Sequence, residues 1–270
     1  MKKGFEGGKD VRIMLVGDVV GRAGRRAFRT ITPRLRAERK VDVVIVNGEN
    51  SAGGKGFTRK ALDELYAGGA DIVTSGNHVW DKKDVFAFID EDPFLVRPAN
   101  YPEGTPGQGY CIFPFKAVNI AVMNLSGRSF MPALDCPFQK ADNILAEIEG
   151  KADIIVLDFH AETTSEKLAM AHYMDGRVDI VVGTHTHVQT ADEQILPAGT
   201  AYITDLGMVG ARSSILGVRT DLVIQKFRTG MPVRFEIAEG AAEYAAVIAD
   251  VDPNGRSPGA IERILIREEE

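Results

Sequence analysis

Short runs of Val, Ile and Leu alternate with amphipathic stretches from residue 11 to about residue 183. Residues 11–17, 41–47, 71–75, 153–159 and 178–182 are continuous apolar runs, the pattern of strands buried on both faces. Between them, residues 22–39 carry helical spacing, with Ala27, Ile31 and Leu35 on one face. Residues 58–68, opened by a Thr58 cap, and residues 81–89, 138–149 and 164–175 also read as helices. The stretch 93–137 is richer in Pro and Gly and holds two runs, 110–115 and 118–125, that fit an antiparallel pair. Past residue 183 the pattern changes. Residues 194–196, 201–204, 222–228, 233–238 and 245–251 read as strands joined by turns. A short helix opened by Ser257-Pro258, with Ile261, Ile264 and Leu265, is expected to close the chain. An alternating region followed by an all-strand region predicts two mixed β-sheets flanked by helices, a four-layer α/β/β/α sandwich. Residues 11–270 are expected to form a single domain, and residues 1–10 a flexible leader or tag.

Composition narrows the function without naming it. An apolar content of 44% in 270 residues supports a core of normal size. A net charge of -6 argues against a protein that grips a nucleic-acid duplex, which needs a basic surface. It leaves room for a small phosphorylated substrate, because bound metal ions can supply local positive charge. Cys111 and Cys136 lack metal-ligand spacing and make a disulfide framework improbable, so a reducing cytoplasm is the expected location. No run approaches membrane-spanning length, and the lysines at the start have no apolar stretch behind them.

The candidate chemistry lies at the strand exits, where open α/β folds collect ligands. The first run ends in Gly17-Asp18, the second in Asn47-Gly48-Glu49-Asn50 and the third in Ser75-Gly76-Asn77-His78. The run through Leu157 ends in Asp158-Phe159-His160, and the run through Val182 in Gly183-Thr184-His185-Thr186-His187. Taken singly each has a plain structural account: Asp18 as a helix cap, Asn50 and Asn77 as turn residues, the histidines as buried and satisfied. Taken together they form a mixed oxygen and nitrogen set without thiolate, which suits iron, manganese or zinc. Asp18, Glu49, Asn50, Asn77, His160, His185 and His187 are enough to hold two ions if one carboxylate bridges them. His172, inside a helical run, has no part in this set.

This series resembles the calcineurin-like metallophosphoesterases. It departs from them where Asp18-Val19-Val20 replaces Asp-x-His and where Gly48-Glu49-Asn50 replaces Gly-Asp. Both departures occur together in the YmdB-like bacterial phosphodiesterases. The chain is similar to that subfamily in Gly17-Asp18-Val19-Val20-Gly21, Gly76-Asn77-His78-Val79-Trp80-Asp81, Asp158-Phe159-His160-Ala161-Glu162 and Gly183-Thr184-His185-Thr186-His187-Val188-Gln189. Ala211-Arg212-Ser213-Ser214, after Asp205-Leu206-Gly207-Met208, matches it less well.

The resemblance implies that Glu49 bridges two divalent or mixed-valence ions, iron first and manganese or zinc next. Asp18, Asn50 and His187 would complete one site, and Asn77, His160 and His185 the other. It implies a dinuclear phosphodiesterase acting on 2',3'-cyclic nucleotides or related phosphodiesters. A metal-bridging hydroxide would attack in line, with His78 as general acid. The expected partner is a small phosphodiester, not a duplex or a membrane, and a homo-oligomer is left open. A phosphomonoesterase or nucleotidase on the same scaffold is the alternative within this class, and a metal-containing regulatory module the alternative outside it.

Other motifs carry less. Gly53-Gly54-Lys55-Gly56 fails the Walker pattern, since Glu49 and Gly56 stand where Gly and Ser/Thr are required; it reads as a mobile loop shaping the cleft. Arg22, Arg25, Arg26 and Arg29 read as a solvated helix face. The loop 126–138 fits equally a cap over the cleft and packing at the rim.

Overall fold

The computed structural model describes residues 10–254 and 258–269. In chain order it begins with β1 (Val11–Val16), β2 (Asp18–Val19), α1 (Gly21–Glu38), β3 (Val43–Asn47), α2 (Arg59–Ala67), β4 (Ile72–Thr74) and β5 (Leu95–Val96). Next come β6 (Tyr110–Phe115), β7 (Val118–Ser126), α3 (Pro137–Glu147), β8 (Ile154–His160), α4 (Thr164–Met174) and β9 (Ile180–Thr184). The chain ends with β10 (Gln194–Ile195), β11 (Ala201–Ile203), β12 (Met208–Ala211), α5 (Thr220–Thr229), β13 (Ala242–Val251) and β14 (Pro258–Arg267). A single 3-10 turn, Lys83–Ala87, stands inside the helix expected at 81–89.

One sheet runs β2-β12-β13-β1-β3-β4-β5, with β14 along the free edge of β13; the other runs β10-β11-β9-β8-β7-β6. β1, β3 and β4 are mutually parallel, as are β7, β8, β9 and β11. The expected hairpin of β6 and β7 is antiparallel. Alternation along each strand builds the layers. Ile13 and Leu15 of β1 face the second sheet and meet Ile45, Ile120, Val122, Val156 and Ile180 in a core between the sheets. Met14 and Val16 face the other way, onto Phe28 of α1 and Leu62 and Leu65 of α2. On the far side Ile144 of α3 and Met170 and Met174 of α4 cover Met123, Leu157 and Val181. The result is the four-layer α/β/β/α sandwich, with apolar cores on both faces of both sheets.

Three expectations from the C-terminal third are corrected. The apolar run 222–228 lies in α5, not in a strand: only Val223 of that helix is buried, while Ile224 and Phe227 are exposed. Asp221 in its first turn and Lys226 and Arg228 in its last suit the helix dipole, and Gly230 in the left-handed region ends it. Residues 233–238 form no strand and meet Val218, itself outside both sheets, through the isolated bridge Val218–Ile237. The closing segment is β14, not a helix, and Ser257 lies outside the described residues. The spacing of Ile261, Ile264 and Leu265 is helical, but pairing from Glu243–Arg267 to Asp250–Ala260 along β13 outweighs it. The leader expected at residues 1–10 falls, except for Asp10, outside the described residues.

Candidate metal centre

The parallel strands of both sheets end on the same rim, and their exit turns aim polar side chains into one buried cluster. Asp18 does not cap α1. The cap position is Val20, which makes no side-chain cap bond, and the Gly21 N–H goes instead to the Asn50 carbonyl at 3.0 Å. Asp18, fully buried, is left to face the cluster. After β3, Asn47 Oδ1 accepts the Glu49 N–H at 3.1 Å, a local turn that swings the Glu49 carboxylate inward. After β4, the backbone passes so close that a Cβ at Gly76 would stand 2.3 Å from His160 Nε2 and 2.5 Å from Glu49 Oε2.

Around Glu49 the side chains fall into two groups. In one, Asn50 Nδ2 lies 3.2 Å from Asp18 Oδ1 and 3.2 Å from His187 Nε2, and His187 Nε2 lies 3.7 Å from Asp18 Oδ1. In the other, His160 Nε2 lies 2.9 Å from Asn77 Oδ1 and 3.1 Å from His185 Nδ1. Glu49 Oε1 touches both, 3.3 Å from Asn50 Nδ2 and 3.0 Å from His160 Nε2. All seven side chains singled out in the sequence are thus brought together.

The outer nitrogen of each imidazole is fixed by an acceptor away from the cluster. His160 Nδ1 meets Thr184 Oγ1 at 2.9 Å, and that hydroxyl donates to buried Asp158 at 2.7 Å. His187 Nδ1 meets the Leu216 carbonyl at 3.1 Å, and His185 Nε2 meets a Glu162 carboxylate oxygen at 3.0 Å. When the outer nitrogens carry the only protons, Nε2 of His160, Nδ1 of His185 and Nε2 of His187 present lone pairs inward. Hydrogen-bond acceptors behind metal-binding histidines impose this same arrangement. His185 and His187 adopt φ of 97° and 63°, left-handed for residues with side chains. Such conformations cost on the order of 1–3 kcal/mol each and persist only where the surroundings hold them.

The donor set fits a cation. His160 Nε2 has three acceptors around it, Glu49 Oε1, Asn77 Oδ1 and His185 Nδ1, and could give a proton to only one of them. One ligand atom each from Glu49, His160 and His185 lies within 4.8 Å of the others. Burial opposes the charges of Asp18 and Glu49, but His187 and His160 hold both carboxyls below their ordinary range. Against its own burial, His160 is pushed up to about 9 by Glu49, Asp18 and Asp158. His185 is driven down to about 3 by burial and by the charge of His160. Two buried carboxylates therefore demand positive charge at this point, and N/O ligation of a divalent ion would meet the demand.

His78 stands at the rim, not in the cluster. Its backbone N–H donates to Glu49 Oε2 at 2.9 Å, and its Nδ1 lies 3.0 Å from Asp81 Oδ2. Lys55 Nζ, from the Gly-rich loop, reaches the same carboxylate oxygen at 3.4 Å. The cleft is lined by Glu49, Asn50, His78, Glu162, His185, Thr186, His187 and Leu216, with no Lys or Arg among them. The arginines of α1 point elsewhere: Arg25 pairs with Glu64, Arg26 with Glu268 and Arg22 with Glu239. The start of the 126–138 loop is fastened at the rim by Glu166, which accepts the N–H groups of Arg128 and Ser129. Sequence reasoning assigns no role to Glu162, Asp81 or Thr184. Each sits one to three residues from a flagged histidine, but only the fold shows which nitrogen it meets.

Two mixed sheets in four layers, with carboxylates, carboxamides and imidazoles converging at the strand exits, define a metallophosphoesterase. The chain belongs to the YmdB-like family: the sequence model of the YmdB-like protein matches residues 14–264. It is 51% identical over 259 residues to the 2',3'-cyclic-nucleotide 2'-phosphodiesterase of Bacillus subtilis (strain 168), covering 96% of this chain and 98% of that protein. Among solved structures it matches a phosphatase of Mycoplasma pneumoniae with a TM-score of 0.93 at 36% identity, covering 97% of this chain and 95% of that one. A hypothetical protein of Thermus thermophilus matches with a TM-score of 0.90 at 42% identity, covering 96% and 100%. The expected recognition, fold class and hydrolase class all hold. Among the described residues no helix is long and apolar enough to cross a membrane.

Proposed function

We propose that this protein is a dinuclear metal-dependent phosphodiesterase that opens 2',3'-cyclic nucleotides. The observation that carries the reading is the division of the buried cluster into two groups that share the Glu49 carboxylate. The relative from Bacillus subtilis, which bears that activity in its name and matches nearly the whole chain, supports the substrate class. Asp18, Asn50 and His187 would hold one ion, Asn77, His160 and His185 the other, and Glu49 would serve both. When bound, the ions supply Lewis-acid charge for the phosphoryl oxygens and lower the pKa of the attacking water. The oxygen and imidazole donors favour iron, with manganese or zinc as substitutes.

The remaining work belongs to the chain itself. A half turn of the Asn50 amide presents its oxygen in place of Nδ2, toward Asp18 and Glu49, an orientation a cation would favour. The outer acceptors on His160, His185 and His187 orient the rings so that an ion, in place of a proton, would meet each inward nitrogen. Asp81 accepts a hydrogen bond from the Nδ1–H of His78 and so orients the imidazolium whose Nε2–H is handed to the departing ester oxygen. The Glu49 link to the His78 backbone keeps that imidazole in register with the cluster. With no Lys or Arg among the described residues that line the cleft, charge complementarity to phosphate rests on the ions. Residues 11–270 act as one catalytic domain, because both sheets share a core. The free thiols of Cys111 and Cys136 support a cytoplasmic setting.

The test is to reconstitute the protein with iron or manganese and compare a 2',3'-cyclic nucleotide with a phosphomonoester. Preferential release of a nucleoside monophosphate from the cyclic diester is expected. Faster turnover of the monoester would replace this reading with a phosphatase.

A further inference from the structure

The His185-Thr186-His187 turn places two imidazoles in different groups of the cluster while holding both residues in the left-handed region. Its one intervening side chain does not face the cluster. Thr186 donates twice, through its N–H at 3.1 Å and its hydroxyl at 2.7 Å, and both donations end on Asp205 Oδ2. Asp205 is fully buried, and the same oxygen accepts the ammonium of Lys167 at 2.5 Å. Its other oxygen accepts the Gly207 N–H at 2.8 Å. Lys167, on α4, is itself 1% exposed. Its stem lies beneath the turn: a Cβ on Gly183 would stand 2.9 Å from Lys167 Cδ and 1.8 Å from the Thr204 carbonyl oxygen. Helix α4, the exit of β9 and the segment after β11 are therefore pinned together at one buried carboxylate.

A buried ion pair is a costly way to fill a core, and apolar side chains of similar volume serve stability as well or better. What an apolar pair cannot do is take two hydrogen bonds from Thr186. We propose that Asp205, paired with Lys167 in the interior, is the strut that fixes the geometry of the His-x-His turn. Lys167 and Asp205 are positioning residues for His185 and His187, acting through Thr186, and they touch neither substrate nor ion. The proposal rests on the metal-binding reading above. It adds that both ions depend on one distant ion pair, because Thr186 lies between their two histidines.

The experiment compares wild type, the double variant Lys167→Met/Asp205→Leu, which removes both buried charges together, and Thr186→Val, which removes one donor and leaves the ion pair intact. Manganese alone is the probe, titrated against a competing chelator, with thermal melting of the same samples. The double variant is expected to melt cooperatively and to bind manganese about 10–100-fold more weakly at both positions, the range seen when groups behind metal ligands are changed. Thr186→Val should lose affinity in the same direction by less. A folded double variant with undiminished affinity at both positions overturns the proposal and leaves the pair a purely structural feature. If the double variant does not fold, unchanged affinity in Thr186→Val overturns it. If wild type binds no manganese, iron or zinc, the proposed function fails instead. The strut is then judged by NMR: the imidazole resonances of His185 and His187 should move in Thr186→Val while those of His78 stay, and unmoved resonances reject it.

Discussion

The two sheets contribute different chemistry to the same cluster. The first sheet, through the exits of β1, β3 and β4, supplies the carboxylates of Asp18 and Glu49 and the carboxamides of Asn50 and Asn77. The second, through the exits of β8 and β9, supplies imidazoles from His160, His185 and His187. Neither sheet carries a complete ligand set, and both groups around Glu49 draw on both sheets. The acidic half is held by backbone geometry: an Asn47 turn, a Gly76 close approach, a Val20 cap that frees Asp18. The imidazole half is held by acceptors behind each ring. Such a centre forms only when the apolar layer between the sheets is packed, so folding and assembly of the site are one event.

The sharpest way to break this division is at the residue both groups share. Glu49→Gln keeps the shape and removes the charge, and turnover should fall by more than the about 100-fold that changes behind a metal ligand cost. Metal analysis should show loss of both ions, and a variant that keeps both would remove Glu49 from its shared role. His78→Ala probes the rim. It should retain both ions and lose about 10²–10⁴-fold in kcat, most for poor leaving groups; metal loss would make His78 a ligand. Glu162→Gln probes the imidazole half alone, since Glu162 supports only His185. One ion should weaken by about 10–100-fold while the other is untouched, and equal weakening of both would show that the two groups around Glu49 are not separable. The smallest effect is expected in the layer between the sheets. Ile120→Val should cost about 0.5–1.5 kcal/mol, read as a lower Tm, with metal content unchanged. Loss of metal there would mean that the seam, and not the bonding at each exit, sets the site.

The site was largely legible because parallel strands bury both faces. Val43–Asn47 and Ile180–Thr184 read as unbroken apolar runs, so the polar residue that follows each one stands out. The partners behind the histidines were not legible. Glu162, Asp81 and the Leu216 carbonyl are ordinary surface chemistry until the chain folds. Asp205 lies 19 residues from Thr186, a distance no local pattern spans. The C-terminal third misled for a different reason. Leu222, Val223 and Ile224 have strand propensity, yet dipole-compatible charges and a Gly230 cap carry them into α5. Ile261, Ile264 and Leu265 have helical spacing, yet the open edge of β13 draws them into β14. In both places tertiary context overrides a weak local preference.

Gly76 separates two properties that usually fail together. The atoms a methyl group would strike there, His160 Nε2 and Glu49 Oε2, are the ends of side chains and not the frame of a strand. Gly76→Ala should therefore be absorbed by moving those ends, leaving the layers intact and the ions without a seat. A melting curve close to that of wild type, with metal content near zero, would establish this; an unfolded variant or one with full metal would refute it. Such a chain would be a catalytically silent copy of the protein with its outer surface unaltered. Expressed in place of the natural copy, it would tell whether the cell needs the reaction or only the presence of the molecule.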